Sequence, residues 1–291
     1  MLVLTARRLP VYCIDMAAAL LLVLILLCYA INPSSSLSFA KARATSTSRS
    51  RLLSSVADEI IDVNPVDLDL KRAQLKTQLL QRVSRLDRGY GSTEADRQSV
   101  DSIVQKLRQV NPSKDSATDN LFPNASDGEC KIEGVWSMAY TTAFDVLTLN
   151  ANPLTIVQQI RQVISRDGRS VNVIDLVPRV QSLLPYSVVG KGSTIRLKVF
   201  TSAFARGASR VGLTFKRLES QLLSLFSVDI NLRLLGIDFP QVASGFGGGA
   251  DGPGFFDVWY LDEDLLIISQ NQPGGFFVNV RSSEEDTAAF L

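Results

Sequence analysis

The apolar residues of this chain change period at Gly134, and that change constrains the fold more than any other feature. Before it they recur at the 3.6-residue period of a helix. After it they alternate at the two-residue period of half-buried strands. Upstream, Leu68, Leu75, Leu79, Val83 and Leu86, joined by Leu70 and Leu80, form one stripe along a helix that Gly89 and Gly91 end. Ser92 or Thr93 is placed to cap a second helix carrying Val100, Ile103, Val104, Leu107 and Val110, and Asn111-Pro112 stops it. A helical hairpin is expected within residues 58–112, followed by a polar linker over 113–132.

Downstream, Trp136, Met138 and Tyr140 alternate with Ser137, Ala139 and Thr141. The same pattern recurs at Ile195–Val199, at Val211–Phe215 and at Phe226–Leu234, while Phe256, Val258 and Tyr260 share one face. The runs 264–270 and 275–282 are short and bounded by turn residues, and a weaker strand covers about 170–178. Residues 153–165 read as a helical insert opened by Pro153. Strands with one apolar face must cover it, and closing the sheet does so. The expected fold is therefore mainly β, an antiparallel barrel of about eight strands over residues 133–285, preceded by the helical hairpin. A two-sheet sandwich is the runner-up. An eight-stranded barrel holds either packed side chains or one small ligand, and alternation alone does not choose between them. Strand parity puts Trp136, Met138, Tyr140, Leu197, Val199, Leu213, Phe215, Val258 and Tyr260 inside as candidate ligand contacts. A one-residue slip in register would flip each set.

Composition excludes several chemistries. The chain has no histidine, so Ser-His-Asp and Cys-His machinery and histidine-ligated metals are excluded. Cys13, Cys28 and Cys130 have no C-x-x-C spacing, which excludes zinc fingers and thioredoxin-type motifs. A net charge of +1 gives no electrostatic reason to expect nucleic acid.

The N-terminus reads as an address. Arg7 and Arg8 precede the apolar run Ala17–Ile31, and Asn32-Pro33 and small serines follow, as in a cleavable signal peptide over 1–38. Residues 39–57 hold Lys41, Arg43, Arg49 and Arg51, many Ser, Thr and Ala, and no acidic residue, which is transit-peptide composition. The two segments in tandem, with Leu37-Ser38-Phe39-Ala40 at the junction, resemble the bipartite presequence of algae with secondary plastids. An uncleaved anchor, or a secreted protein with a disordered N-terminus, is the alternative. Losing this presequence would remove more basic than acidic residues and leave a mildly acidic protein with Cys130 as its one cysteine.

Other motifs carry little. Gly247-Gly248-Gly249-Ala250-Asp251-Gly252 matches G-x-G-x-x-G, but Pro253-Gly254 and a strand follow where a dinucleotide fold needs a helix. Gly190-Lys191-Gly192-Ser193-Thr194 lacks phosphate-loop spacing. Asn124-Ala125-Ser126 is formally a glycosylation sequon and reads as loop. Asp262-Glu263-Asp264 lacks the calcium-loop pattern and reads as a hairpin turn, and Asp257, Asp262 and Asp264 could act as an acid–base pair only if two converged in a dry pocket.

Three blocks together resemble the plastid lipid-associated, or PAP/fibrillin, family over about residues 68–282. They are Leu86-Asp87-Arg88-Gly89 with the helix closed by Asn111-Pro112, then Gly134-Val135-Trp136-Ser137-Met138-Ala139-Tyr140-Thr141-Thr142, then Tyr260-Leu261-Asp262-Glu263-Asp264-Leu265 with Phe276-Phe277-Val278. The resemblance implies a lipocalin-like barrel that closes at one end with Trp136 under Arg281. It implies a non-enzymatic role and no cofactor. The implied ligand is a prenylquinone, carotenoid or fatty acid, and the implied surface that of thylakoids or plastoglobules. The implied place is the plastid. An accessory role beside a prenylquinone-synthesising enzyme, docked through the hairpin, is the alternative; a lipid-modifying enzyme using Asp257 or Tyr260 is a further one. The chain departs from the family in one respect. Leu266 and Ser269 stand where the third block usually carries arginines.

Overall fold

A computed structural model describes residues 65–121, 128–183, 192–225, 228–238, 254–271 and 274–282. The presequence segments, the sequon, Gly190-Lys191 and the glycine run 247–252 lie outside these residues.

Helix α1 spans Pro65–Val83 and α2 spans Glu94–Gln109. Thr93 caps α2: its hydroxyl accepts from the Asp96 amide, while the Asp96 carboxylate accepts from the Thr93 amide. This reciprocal pair lowers the Asp96 pKa, chiefly through the Thr93 hydroxyl. Leu70 near the start of α1 is exposed, but Leu79, Val100, Val104 and Leu107 of the two apolar stripes are fully buried. They cover Tyr140, Tyr260, Leu265, Ile267 and Val278 of the sheet as well as one another. The interhelical loop also docks. Asp87, Arg88 and Gly89 all take positive φ, the Thr141 amide donates to the Arg88 carbonyl (3.0 Å), and a Cβ on Gly89 would strike the Thr141 carbonyl. That contact is why the chain needs glycine there. At the end of α2, the Asn111 side chain accepts from the amides of Ser113 and Leu261, tying the helix end to the sheet.

The strands are β1 Gly134–Thr141, β2 Thr155–Ile164, β3 Arg169–Pro178, β4 Thr194–Gly207, β5 Arg210–Leu225, β6 Val228–Asp238, β7 Phe255–Leu261, β8 Leu265–Gln270 and β9 Phe276–Arg281. A short helix α3, Phe144–Leu149, follows β1, and a 3-10 turn, Arg179–Leu183, follows β3. Every strand pairing is antiparallel, and eight strands close into a barrel in the order β1-β2-β3-β4-β5-β7-β8-β9 and back to β1. The ninth, β6, hangs outside this ring. β5 pairs with β7 only over Arg210, Val211 and Gly212, then turns to β6 from Arg217 onward.

The helical insert expected over 153–165 is strand β2 instead. Its ten residues include Thr155, Ile156, Val157, Ile160, Val163 and Ile164, β-branched side chains that suit a pleated surface. A bulge between Val157 and Gln159 shifts the alternation by one residue. The spacing of apolar residues then imitates a helical period.

Candidate ligand-binding site

The chain that enters the barrel closes one end of it. Ala117, Leu121, Cys130 and Ile132 of the linker are buried against Trp136, Ala203, Val211 and Leu261. Thr118 ties this floor to the β4–β5 turn, its hydroxyl donating to the Gly207 carbonyl (2.7 Å). Trp136 is fully buried, and its indole N–H donates to the Ile132 carbonyl at 2.9 Å. The Arg281 guanidinium lies 4.2 Å from the Trp136 ring centroid and donates to the carbonyls of Lys131, Glu133 and Glu263. Gly134 takes φ 138°, and a Cβ there would collide with that guanidinium. The glycine two residues before the tryptophan thus makes room for the arginine.

The register carries one face around the barrel, because cross-strand partners share a face. Trp136 is opposite Gln162, Gln162 opposite Asn172, Asn172 opposite Val199, and Val199 opposite Leu218. In the same way Leu197 faces Ser220, Thr201 faces Phe215, Ala203 faces Leu213, and Val211 faces Phe256. Trp136, Met138, Leu197, Val199, Leu213, Phe215 and Val258 therefore line the lumen.

Tyr140 and Tyr260 do not line it. Both lie in the cluster formed with the helical hairpin, on the outer face. Bulges between Met138 and Tyr140 and between Val258 and Tyr260 each add one residue, which turns the tyrosines outward. Trp259 joins Tyr260 on that side, and Leu261 returns inward.

The lumen is not solidly filled. Gln162, Asn172 and Val199 keep partial exposure although each sits mid-sheet with a paired neighbour on either side, so their accessible atoms face the interior. Gln162 and Asn172 were missed by sequence reasoning, the first because β2 reads as a helix. The β-branched richness of β2 was the available signal. At the end opposite the floor, large apolar side chains stand in solvent. Phe144, Leu154 and Val180 lie on the connections that leave β1, enter β2 and leave β3, and Val228, Ile230, Leu232, Leu234 and Ile237 lie on β6.

The charged groups outside the barrel serve packing. Asp262 closes the β7–β8 turn by accepting from the amides of Asp264 and Leu265, and it also accepts from the Tyr260 hydroxyl (2.7 Å) and the Lys76 ammonium (2.8 Å). Burial alone would raise the Asp262 pKa, but these donors outweigh it and hold the carboxyl below its ordinary value. Burial, reinforced by the bond to Asp262, pushes the Tyr260 phenol well up. Asp257 pairs instead with Arg210 at 2.7 and 3.1 Å, so Asp257 and Asp262 do not converge as an acid–base pair. Among the described residues there is no cluster able to hold a metal ion, and no helix long and apolar enough to cross a membrane.

The sequence pattern of the PAP_fibrillin family matches residues 73–279, from within α1 to within β9. The chain belongs to the PAP/fibrillin family. The matched stretch takes in most of the hairpin and the barrel. Over 77 residues the chain is 31% identical to the probable plastid-lipid-associated protein 5, chloroplastic, of Arabidopsis thaliana. That stretch is 26% of this chain and 29% of that protein, so under a third of the relative's length is spanned. Of the two positions where this PAP/fibrillin chain departs from the family's usual arginines, Leu266 is fully buried in the lumenal cluster, packed with Trp136. Ser269 hydrogen-bonds the Gly275 carbonyl at 3.4 Å.

Proposed function

We propose that this PAP/fibrillin protein is a non-enzymatic plastid lipid-associated protein that holds an apolar small molecule in its barrel. The observation that carries the reading is the asymmetry of the barrel: a Trp136 floor at one end, a lumen lined mostly by apolar side chains, and an apolar rim at the other. Burial of an apolar molecule contributes ~25 cal/mol per Å², which gives affinity with little chemical selectivity. The ligand would be a prenylquinone, a carotenoid or a fatty acid. The rim residues would meet the lipid surface of thylakoids or plastoglobules. Delivery would run through the endoplasmic reticulum into a secondary plastid, a reading supported by the composition of residues 1–57. The accessory-factor reading, with the hairpin as docking surface, is less favoured, because most of the apolar stripe of α1 and α2, from Leu75 to Leu107, is already packed on the barrel.

The direct test is to produce the protein alongside plastid lipids, purify it and identify bound small molecules by mass spectrometry. One lipid at near-equal stoichiometry supports a carrier of that compound. A ligand-free protein that coats lipid droplets supports a surface role and argues against the lumenal one.

A further inference from the structure

The lumen has one polar wall beside its closed end. Gln162 pairs across the sheet with Trp136, and Asn172 pairs with Gln162, so the two side-chain amides and the floor tryptophan lie in one row on the lumenal face. Neither amide makes a side-chain hydrogen bond within the protein among the described residues, and both are partly accessible from inside. Ser170 and Ser220 share this face, on β3 and β5. Their hydroxyls are buried with no hydrogen-bond partner, at 1% and 0% exposure of the residues. Buried polar groups left unpartnered cost stability, and the Ser170 and Ser220 hydroxyls are two such groups on the same face as the two partly accessible amides, whereas Asn279 and Thr201 on that face are bonded within the protein. A ligand that hydrogen-bonds to them removes that cost, and a hydrocarbon does not.

Charge sets the second limit. Arg281 is the one charged side chain that the described strands direct to this face, and its donors are committed to three backbone carbonyls at the floor. An ionised headgroup entering this lumen would lose its water and find no counter-ion. We infer that the barrel selects a long apolar molecule carrying a neutral hydrogen-bonding group, a ketone, quinone or hydroxyl. The polar end sits at Gln162 and Asn172 next to Trp136, and the tail runs toward the apolar rim. The inference rests on the reading of the barrel as a lipid-binding lumen and adds the chemistry and orientation of the ligand.

The test uses the full chain loaded with diphenylhexatriene, a neutral apolar fluorophore, displaced by hexadecane, hexadecan-2-one or hexadecanoate. The ketone is expected to displace the probe about tenfold more effectively than hexadecane, the difference one or two hydrogen bonds make. Hexadecanoate at pH 8 should compete worse than the ketone. In the Gln162→Leu, Asn172→Leu protein the advantage of the ketone should vanish while hexadecane competes as before. Bound probe displaced equally by ketone and hexadecane in the unaltered protein overturns the inference and leaves the lipid-binding lumen standing. Failure to take up diphenylhexatriene overturns both. The comparison in the unaltered protein needs no variant, so a misfolded double variant does not weaken it.

Discussion

Arg281 joins three carbonyls and an indole face, and these four partners come from three parts of the floor. The Lys131 and Glu133 carbonyls come from the linker, Glu263 from the β7–β8 turn, and Trp136 from β1. Arg281→Ala should destabilise the fold by about 2 kcal/mol, from the cation–π contact and the lost charged donors together. Arg281→Lys should recover only part of that, since an ammonium cannot reproduce the planar fork. Urea midpoints of the three proteins measure both. Asp262 gives a pH dependence. A carboxyl held below its ordinary value of 3.8 takes up a proton less readily in the folded protein than in the unfolded chain. Its stabilisation is therefore full above that value and is lost as the pH falls through the lower folded one. Lys76 shows the opposite sign: burial would lower its pKa, but Asp262 and Asp264 raise it above 10.5. Its contribution is complete below that value and is lost as pH climbs through the folded one. Asp262→Asn should flatten the acid limb of stability against pH. An unchanged limb would exclude this cluster as its source.

Among the elements, the hairpin and β6 divide the two kinds of apolar surface. Leu79 of the hairpin stripe is fully buried, so Leu79→Ala should cost about 2–5 kcal/mol through the cavity it leaves. Tyr140 belongs to this interface, and Tyr140→Asp should loosen the hairpin from the barrel rather than act inside the lumen. Amide exchange would show it as lost protection in α1 and α2. The β6 row, by contrast, is exposed, with Val228 and Leu232 both more than half accessible. Val228→Asp with Leu232→Asp should leave the melting temperature nearly unchanged and reduce binding to lipid vesicles or droplets severalfold. Retained binding would remove β6 from the lipid-contacting rim. The strand elements were legible where alternation ran unbroken, as in Ile195–Val199 and Val211–Phe215. They were not legible at β2, because one inserted residue at the bulge produces a spacing that a single sequence cannot tell from a helix turn.

For the molecule as a whole, the hairpin has no separate core. Its stripe ends in the same cluster as β1, β7, β8 and β9. Helix loss followed in the far ultraviolet and barrel loss followed by Trp136 and Trp259 fluorescence should therefore trace one coincident unfolding transition. The pairing of Trp136 with Arg281 entered only as what the family resemblance implies, but the chain by itself determined the period change at Gly134, the helical stripes and their stops, and the residue blocks that mark the family. These are local patterns or short-range chemistry, which a sequence carries directly. Only the tertiary structure decided that Tyr140 and Tyr260 face the helices, that the linker is the floor of the barrel, and that Gln162 and Asn172 stand beside Trp136. Each depends on register, and register is set by hydrogen-bond ladders between strands far apart in the chain, where one bulged residue exchanges inside for outside.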